Sequence, residues 1–394
     1  MIIPLEQRIR EFEEHYANEV VRGLKSFSNE DIDDVAKLIQ NALDTQRNTI
    51  YIFGNGGSNA IARHFDLSLK DTFRGKGYGI RTNTGVAFDL SQQLALECGY
   101  EQIFRQTLED EQANSDDLVI FISGSGNSSN LIETARYCNT NNIPNISFSG
   151  FDGGEISRTA EKSLVARIND QQIAEDVIQS LLHLCVARDG DYIPKLRSGL
   201  ERISSGFLDA VTEDIANAYL EGRNVYVLAP EGNGLSISAE HTAHNLNWDA
   251  VYGIENPPAR NIHSTPTNCD YSGIANDRVA DGIVTIQQLE KAKAGDVLVL
   301  YAQDVERKSV KNVIDYAREK GVKTYIVSGI GNADVVFDTD NQFVTADLMQ
   351  MTGHMIGRIT NFKLKYDLGY EIGERDLIEN DLAQRRLIGE KHGL

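Results

Sequence analysis

Two short polar loops carry the residue types best suited to chemistry in this chain of 394 residues. The first, Gly54-Asn55-Gly56-Gly57-Ser58, follows the apolar run Ile50-Tyr51-Ile52-Phe53; the second, Ser123-Gly124-Ser125-Gly126-Asn127-Ser128, follows Leu118-Val119-Ile120-Phe121-Ile122. A strand that ends in small residues and opens a helix presents free backbone N–H groups and a positive dipole end to an anion. Serine hydroxyls add donors with little bulk. The two loops together predict a cradle for one phosphate, with Asn55, Gly56, Gly57 and Ser58 on one side and Ser123, Gly124, Ser125, Asn127 and Ser128 on the other. Neither has the Lys-Ser/Thr ending of a nucleoside-triphosphate loop or the Gly-x-Gly-x-x-Gly of dinucleotide binding. The expected ligand is therefore a small phosphorylated metabolite. One Gly/Ser turn between strand and helix is ordinary punctuation. Two of them on separate βα junctions are another matter, because a doubly wound sheet brings such loops together at its switch point.

The elements that must position these loops recur along the chain. Asn224-Val225-Tyr226-Val227-Leu228 followed by Gly232-Asn233-Gly234 echoes the first strand and loop, Gly295 to Leu300 echoes Asp116 to Phe121, and Tyr325-Ile326-Val327-Ser328-Gly329 echoes Ile146 to Gly150. An amphipathic helical region precedes each copy, Leu5–Asn48 in the first and Leu196–Glu221 in the second. The reading is two α/β domains, 1–194 and 195–394, each a parallel sheet sandwiched by helices. The second copy has Tyr301-Ala302-Gln303-Asp304-Val305-Glu306 in place of the Ser/Gly loop. Its carboxylates are expected to repel a phosphate, so this copy reads as degenerate. Asp277, in Ile274-Ala275-Asn276-Asp277, is a candidate contributor to the site, and the charged stretch from Gly369 to Leu394 is expected to form a surface helix.

Composition bounds the partners. With 58 acidic against 38 basic residues, the net charge of −20 disfavours nucleic acid and anionic membrane. No apolar run approaches membrane-spanning length and the N-terminus lacks a signal-peptide pattern, so a cytosolic location is expected. Cys98, Cys138, Cys185 and Cys269 lack any Cys-x-x-Cys pairing and read as reduced, packed thiols.

The run Gly54-Asn55-Gly56-Gly57-Ser58 with His64-Phe65, then Ser125-Gly126-Asn127-Ser128, then Gly150-Phe151-Asp152-Gly153-Gly154 resembles the sugar isomerase (SIS) domain family. Within it the likeness is to phosphoheptose isomerases, which interconvert sedoheptulose 7-phosphate and D-glycero-D-manno-heptose 7-phosphate. The resemblance covers Leu5 to about Asp189, and Leu196 to about Lys365 more weakly. It implies two tandem SIS domains of flavodoxin-like αβα form. It also implies substrate and phosphate contacts at Asn55, Ser58, Ser123, Ser125 and Ser128, and an acid/base role for His183. Gly124 stands where those isomerases have threonine, and Glu175 where they have glutamine. Some members hold zinc with that glutamine, two histidines matching His64 and His183, and a glutamate; the resemblance thus implies an optional zinc at His64, Glu175 and His183, with no cofactor required. The same glutamate is the family's base, four residues beyond the first histidine, and here that position is Ser68. Residues i and i+4 share a helix face, and a serine hydroxyl is no base without an activating partner.

Aldose–ketose isomerisation takes a proton from the carbon beside a carbonyl and returns it to the neighbouring carbon through an enediol. The carboxylates that sequence pattern offers for the missing base are Asp71, Glu97 and Glu175. His183, set among Ile, Leu and Val, has a packed core histidine as its plain alternative. In the second half Asp347 and His354 repeat the spacing of Asp176 and His183, and Glu240-His241-Thr242-Ala243-His244 places two histidines on one expected helix. The leading expectation is a tandem-SIS phosphosugar isomerase, a homodimer forming a pseudo-tetramer of SIS domains, with Asp277 or His354 lining a composite site. The alternatives are a phosphosugar-binding sensor without chemistry, and the isomerase half of an amidotransferase such as glucosamine-6-phosphate synthase. Against the last stand the absence of a glutaminase segment before residue 1 and the unlike tail Glu390-Lys391-His392-Gly393-Leu394.

Overall fold

The computed structural model describes residues 4–44, 48–73, 81–84, 88–187, 189–231, 233–264, 282–373 and 376–378. Asp277, Cys269, Gly232 and the tail beyond residue 378 lie outside them. In chain order the elements are α1 (Leu5–Lys25), α2 (Asn29–Asp44), β1 (Ile50–Gly54), α3 (Gly57–Phe73), β2 (Thr82–Asn83), α4 (Phe88–Cys98), α5 (Ile103–Asp110), β3 (Leu118–Ser123), α6 (Ser129–Thr140), β4 (Asn145–Gly150), α7 (Ile156–Thr159), β5 (Lys162–Ala166) and α8 (Gln171–Ala187). There follow α9 (Tyr192–Leu200), α10 (Ser205–Leu220), β6 (Asn224–Leu228), α11 (Asn233–Trp248), β7 (Asn261–His263), α12 (Ile283–Gln288), β8 (Val297–Asp304), α13 (Lys308–Glu319), β9 (Lys323–Ile330), β10 (Val335–Val336) and α14 (Gln342–Asp367). The single helical region expected over Leu5–Asn48 is two helices. Ser28 and Asp31 explain the break: the Asp31 N–H donates to the Ser28 hydroxyl oxygen at 3.1 Å and the Ser28 N–H to the Asp31 carboxylate at 3.1 Å, a reciprocal cap that starts α2 afresh.

Residues 19–190 form one compact unit; residues 1–18 together with 191–394 form the other. The sequence grouping put residues 1–18 with the first domain, but in the fold Arg358 of α14 lies over the rings of Phe12 and Tyr16, 5.2 and 6.0 Å from their centroids. A guanidinium over an aromatic face is a favourable contact.

The first unit carries a five-stranded sheet in the order β2-β1-β3-β4-β5, and the second the order β10-β9-β8-β6-β7. Every pairing is parallel. Read from the first strand of each unit these are one and the same order. All residues of β1, β3 and β4 are buried, as strands covered by helices on both faces must be, and this accounts for the unbroken apolar runs Ile50–Phe53 and Leu118–Ile122. On one face of the first sheet Tyr51, Phe53, Val119 and Phe121 pack with Phe104, Leu131 and Ile143.

Each unit also fastens its first strand to its third with an aspartate. In the first, Asp117 accepts the N–H groups of Thr49 at 2.7 Å and Asn114 at 2.9 Å. In the second, Asp296 accepts those of Asn224 at 3.0 Å and Lys293 at 2.9 Å. Both carboxylates are buried. An Asp117→Ala substitution strips two backbone donors of their acceptor, and should cost the first unit about 2–4 kcal/mol, read as a lowered midpoint in urea unfolding.

Candidate functional site

The order β2-β1-β3-β4-β5 makes the β1/β3 boundary the point where chain connections diverge to opposite sides, and hence the crevice where such sheets bind ligands. Gly54 pairs with Ile122, so the loops that leave these two strands start side by side. In the second loop the Gly126 N–H donates to the Ser123 hydroxyl oxygen at 3.0 Å and the Asn127 N–H to that of Ser125 at 3.3 Å. A hydroxyl that accepts a backbone N–H keeps its own proton to donate elsewhere. Ser123 is buried and braces the loop, while Ser125 and Asn127 are exposed at its tip. The Asn127 side chain ties the tip down, its Nδ2 donating to the Ser125 carbonyl at 3.1 Å and its Oδ1 accepting the Glu155 N–H at 3.1 Å. Ser128 stands at the N-cap of α6 with φ −69° and ψ 116°, and its side chain makes no capping bond, which leaves first-turn N–H groups of that helix available.

Asn55 has a bracing role that sequence reasoning missed. Its amide exchanges hydrogen bonds with that of Asn130, at 2.9 and 3.0 Å, and its Oδ1 also accepts the Tyr100 hydroxyl at 2.9 Å. Asn130 is fully buried on α6, so this pair is a strut between the two loops. The signal available was a lone amide one residue ahead of the apolar Leu131-Ile132, which helical spacing alone does not connect to a loop 75 residues earlier.

Glu175 reaches the second loop. Asp170 starts α8 by accepting the Ile173 N–H at 3.1 Å, a side-chain cap. That start sets the phase of the helix, so Gln171 and Glu175, one turn apart, share a face. A Cβ placed on Gly124 would lie 3.3 Å from Gln171 Cγ and 3.6 Å from Glu175 Oε1. The Gln171 amide donates to Glu175 Oε1 at 3.1 Å, and Glu175 is 5% exposed. A buried carboxylate thus borders the loop of Ser123 to Ser128.

The other candidates for acid, base or ligand do not join it. His183 lies eight residues further along α8, a rise of about 12 Å, and its Nε2 is 3.0 Å from the Ser68 hydroxyl oxygen. That hydroxyl donates to the His64 carbonyl at 3.0 Å, a bond that serine in a helix makes readily. The remaining hydrogen of the pair is then on Nε2, which donates to Ser68. The His64 and His183 rings meet edge to face, centroids 5.1 Å apart. The ligand atoms of His64, Glu175 and His183 do not gather within 4.8 Å of one another. The set therefore does not fit a zinc ion in this unit, since Glu175 stands two turns away and Ser68 closes on His183. Asp71 is exposed, because three residues beyond buried Ser68 the helix has turned it off the inner face. Glu97 is exposed and accepts the Gln93 amide at 2.8 Å.

The second unit keeps the paired histidines without the loop chemistry. His241 on α11 and His354 on α14 meet edge to face with centroids 4.9 Å apart, and His241 Nδ1 lies 3.1 Å from Gln350 Oε1. Asp347 accepts the Tyr192 hydroxyl, so the aspartate that mirrors Asp176 holds a buried tyrosine.

A parallel α/β sheet with two Gly/Ser loops at its switch point is an arrangement suited to holding an anionic ligand. The sequence matches the SIS domain over residues 14–150, and a phosphoheptose isomerase of Aliarcobacter butzleri is 31% identical over 168 residues, 41% of this chain and 84% of that protein. The chain belongs to the SIS-domain family. Among solved structures, tagatose-6-phosphate ketose/aldose isomerase of Escherichia coli aligns with a TM-score of 0.59 at 12% identity, over 94% of this chain and 97% of that one. Glucosamine-6-phosphate deaminase of Thermotoga maritima aligns with a TM-score of 0.59 at 13% identity, over 92% and 96%. At these identities the likeness is one of fold. Among the described residues, no helix is long and apolar enough to cross a membrane.

Proposed function

We propose that the first unit binds a phosphorylated ketose and interconverts it with the corresponding aldose, with Glu175 as the group that moves the proton and sedoheptulose 7-phosphate as the first substrate to test. The observation that carries this reading is the position of the Glu175 carboxylate beside Gly124. Relatives named phosphoheptose isomerases support the substrate class. In this scheme the phosphate sits on the N–H groups of the second loop and the hydroxyls of Ser125 and Ser128. The Gln171 amide fixes Glu175 Oε1, and Oε2 takes the proton from the carbon beside the carbonyl. The same oxygen returns it to the neighbouring carbon, while the hydroxyl proton on the first carbon's oxygen passes across the enediolate to the former carbonyl oxygen, so that the carbonyl shifts by one carbon and every proton is accounted for. N–H groups at the start of α3 supply positive potential to the enediolate oxygen between the two transfers. Glu175 thereby provides the carboxylate that Ser68 lacks.

A second reading, phosphosugar binding without turnover, is favoured by the closed Ser68–His183 pair. Incubation of the full chain with sedoheptulose 7-phosphate in deuterated water separates the two. Deuterium at the carbon beside the carbonyl, together with aldose product in the NMR spectrum, is the expected result. Saturable binding with no exchange would replace the isomerase with the sensor. In either case Ser125→Ala should weaken binding of the sugar phosphate about tenfold to a hundredfold, the loss of one hydrogen bond to a charged group.

A further inference from the structure

We propose that Glu231 is a tethered anion occupying the phosphate cradle of the second unit, and that removing its charge opens a second site for a phosphate group in this chain. The cradle is recognisable by position. Gln303 and Asp304 stand as far beyond the clamp residue Asp296 as Gly124 and Ser125 stand beyond Asp117, and Arg307, like Ser128, is the N-cap of the helix that follows. The backbone at the two caps is alike, with φ −61° and ψ 137° at Arg307 and φ −69° and ψ 116° at Ser128. β6 pairs with β8 as β1 pairs with β3, Leu228 opposite Leu300, so the loop that holds Glu231 leaves the sheet at the second switch point.

Glu231 fills that point as an oxyanion ligand would. Its Oε2 accepts the N–H of Gln303, and that of Asp304 at 3.4 Å. Arg307 Nη1 lies 2.9 Å from Oε1 as an ion pair, without the alignment of a hydrogen bond. The Glu231 side chain is 1% exposed and that of Arg307 56%, so a guanidinium caps the carboxylate on the solvent side. Backbone donors at the end of the third strand, a helix start and an arginine form an anion site in chemical terms. Its occupant here is supplied by the chain, and a tethered group competes at an effective concentration set by its short connection.

The sequence expectation assigned the loss of phosphate binding to Asp304 and Glu306, and the structure redirects it. Asp304 Oδ1 accepts the Glu306 N–H at 2.8 Å, and the Glu306 carboxylate pairs with Lys311 at 2.6 Å. Asp304 is thus tied to the turn that follows it and Glu306 to a lysine of α13, and the carboxylate on the cradle N–H groups is that of Glu231. This inference concerns the second unit and stands or falls apart from the isomerase reading of the first.

The test counts phosphate sites on the full chain by titration calorimetry with inorganic phosphate at constant ionic strength. Wild-type protein should bind at most one phosphate per chain, and Glu231→Ala one more. Adding Arg307→Ala to that variant should weaken the new site at least tenfold. Glu231→Gln keeps the side-chain size and an acceptor oxygen while removing the charge, so it serves if the alanine variant does not fold, and should also gain the site. The proposal is overturned if wild-type protein already binds two phosphates. It is equally overturned if a variant with wild-type circular dichroism and a cooperative melt gains no phosphate, or if the gained site is indifferent to Arg307→Ala.

Discussion

Glu175→Gln should lower kcat for the interconversion of sedoheptulose 7-phosphate about 10³-fold, within the range by which a positioned proton-transfer group accelerates such steps. The amide has nearly the shape of the carboxylate and can still accept the Gln171 bond that Oε1 accepts at 3.1 Å, so the wall beside Gly124 stays in place. What it loses is the capacity to hold a proton. Phosphate affinity should therefore stay within about threefold of wild type, because the proposed scheme holds the anion by loop donors and by the α6 N-terminus rather than by Glu175. Steady-state rates paired with a phosphate titration check both halves. Turnover within tenfold of wild type would remove Glu175 from the proton transfer, and a large loss of phosphate affinity would make it a structural part of the loop.

Gly126→Ala should unfold the second loop locally and cost about 3 kcal/mol or more in stability. Gly126 has φ +70°, and a Cβ there would run into the Gly153 carbonyl oxygen and stand 2.9 Å from the Gly154 nitrogen. These are backbone atoms of a neighbouring loop that cannot rotate away. The Gly126 carbonyl also accepts the Ile156 N–H at 2.9 Å, so parting the loops breaks the start of α7 as well. Phosphate affinity should fall more than tenfold because the N–H groups no longer converge. Gly56→Ala provides the contrast, since at φ +53° its Cβ would meet nothing within 4 Å. That variant bears only the cost of the left-handed backbone, about 1 kcal/mol. Urea midpoints for the two variants, compared side by side, test whether close approach or backbone angle dominates; equal costs would refute the packing argument.

The sheet and its loops were legible because each signal is local. Ile50 to Phe53 and Leu118 to Ile122 are apolar without interruption, which is how a strand covered on both faces reads, and the Gly/Ser run after each marks a βα junction. The repetition of strand, loop and strand along the chain made the second α/β unit readable as a copy of the first. Asp71 was misplaced by one detail of helix phase: three residues from Ser68 is near enough to look shared and far enough to reach solvent. Glu175 and His183 looked like one constellation because both lie on α8, but a helix spends its length along one axis, and eight residues carry the second group out of reach of the first. Asn55–Asn130 and Glu231–Gln303 are contacts between positions 75 and 72 residues apart. No local pattern encodes such pairings, since an asparagine before a helix or a glutamate in a loop reads the same with or without a distant partner.

The aspartate clamps turn one backbone amide in each unit into a reporter. The Thr49 N–H is closed by Asp117 and the Asn224 N–H by Asp296, at the entry of the strand that carries each unit's first loop. An amide held in this way exchanges with solvent deuterium only when the strand pair opens, so its protection factor measures the free energy of that opening. The two amides belong to different units of one polypeptide. Their exchange rates therefore read the local stability of the two units separately in a single sample, without cutting the chain or labelling it.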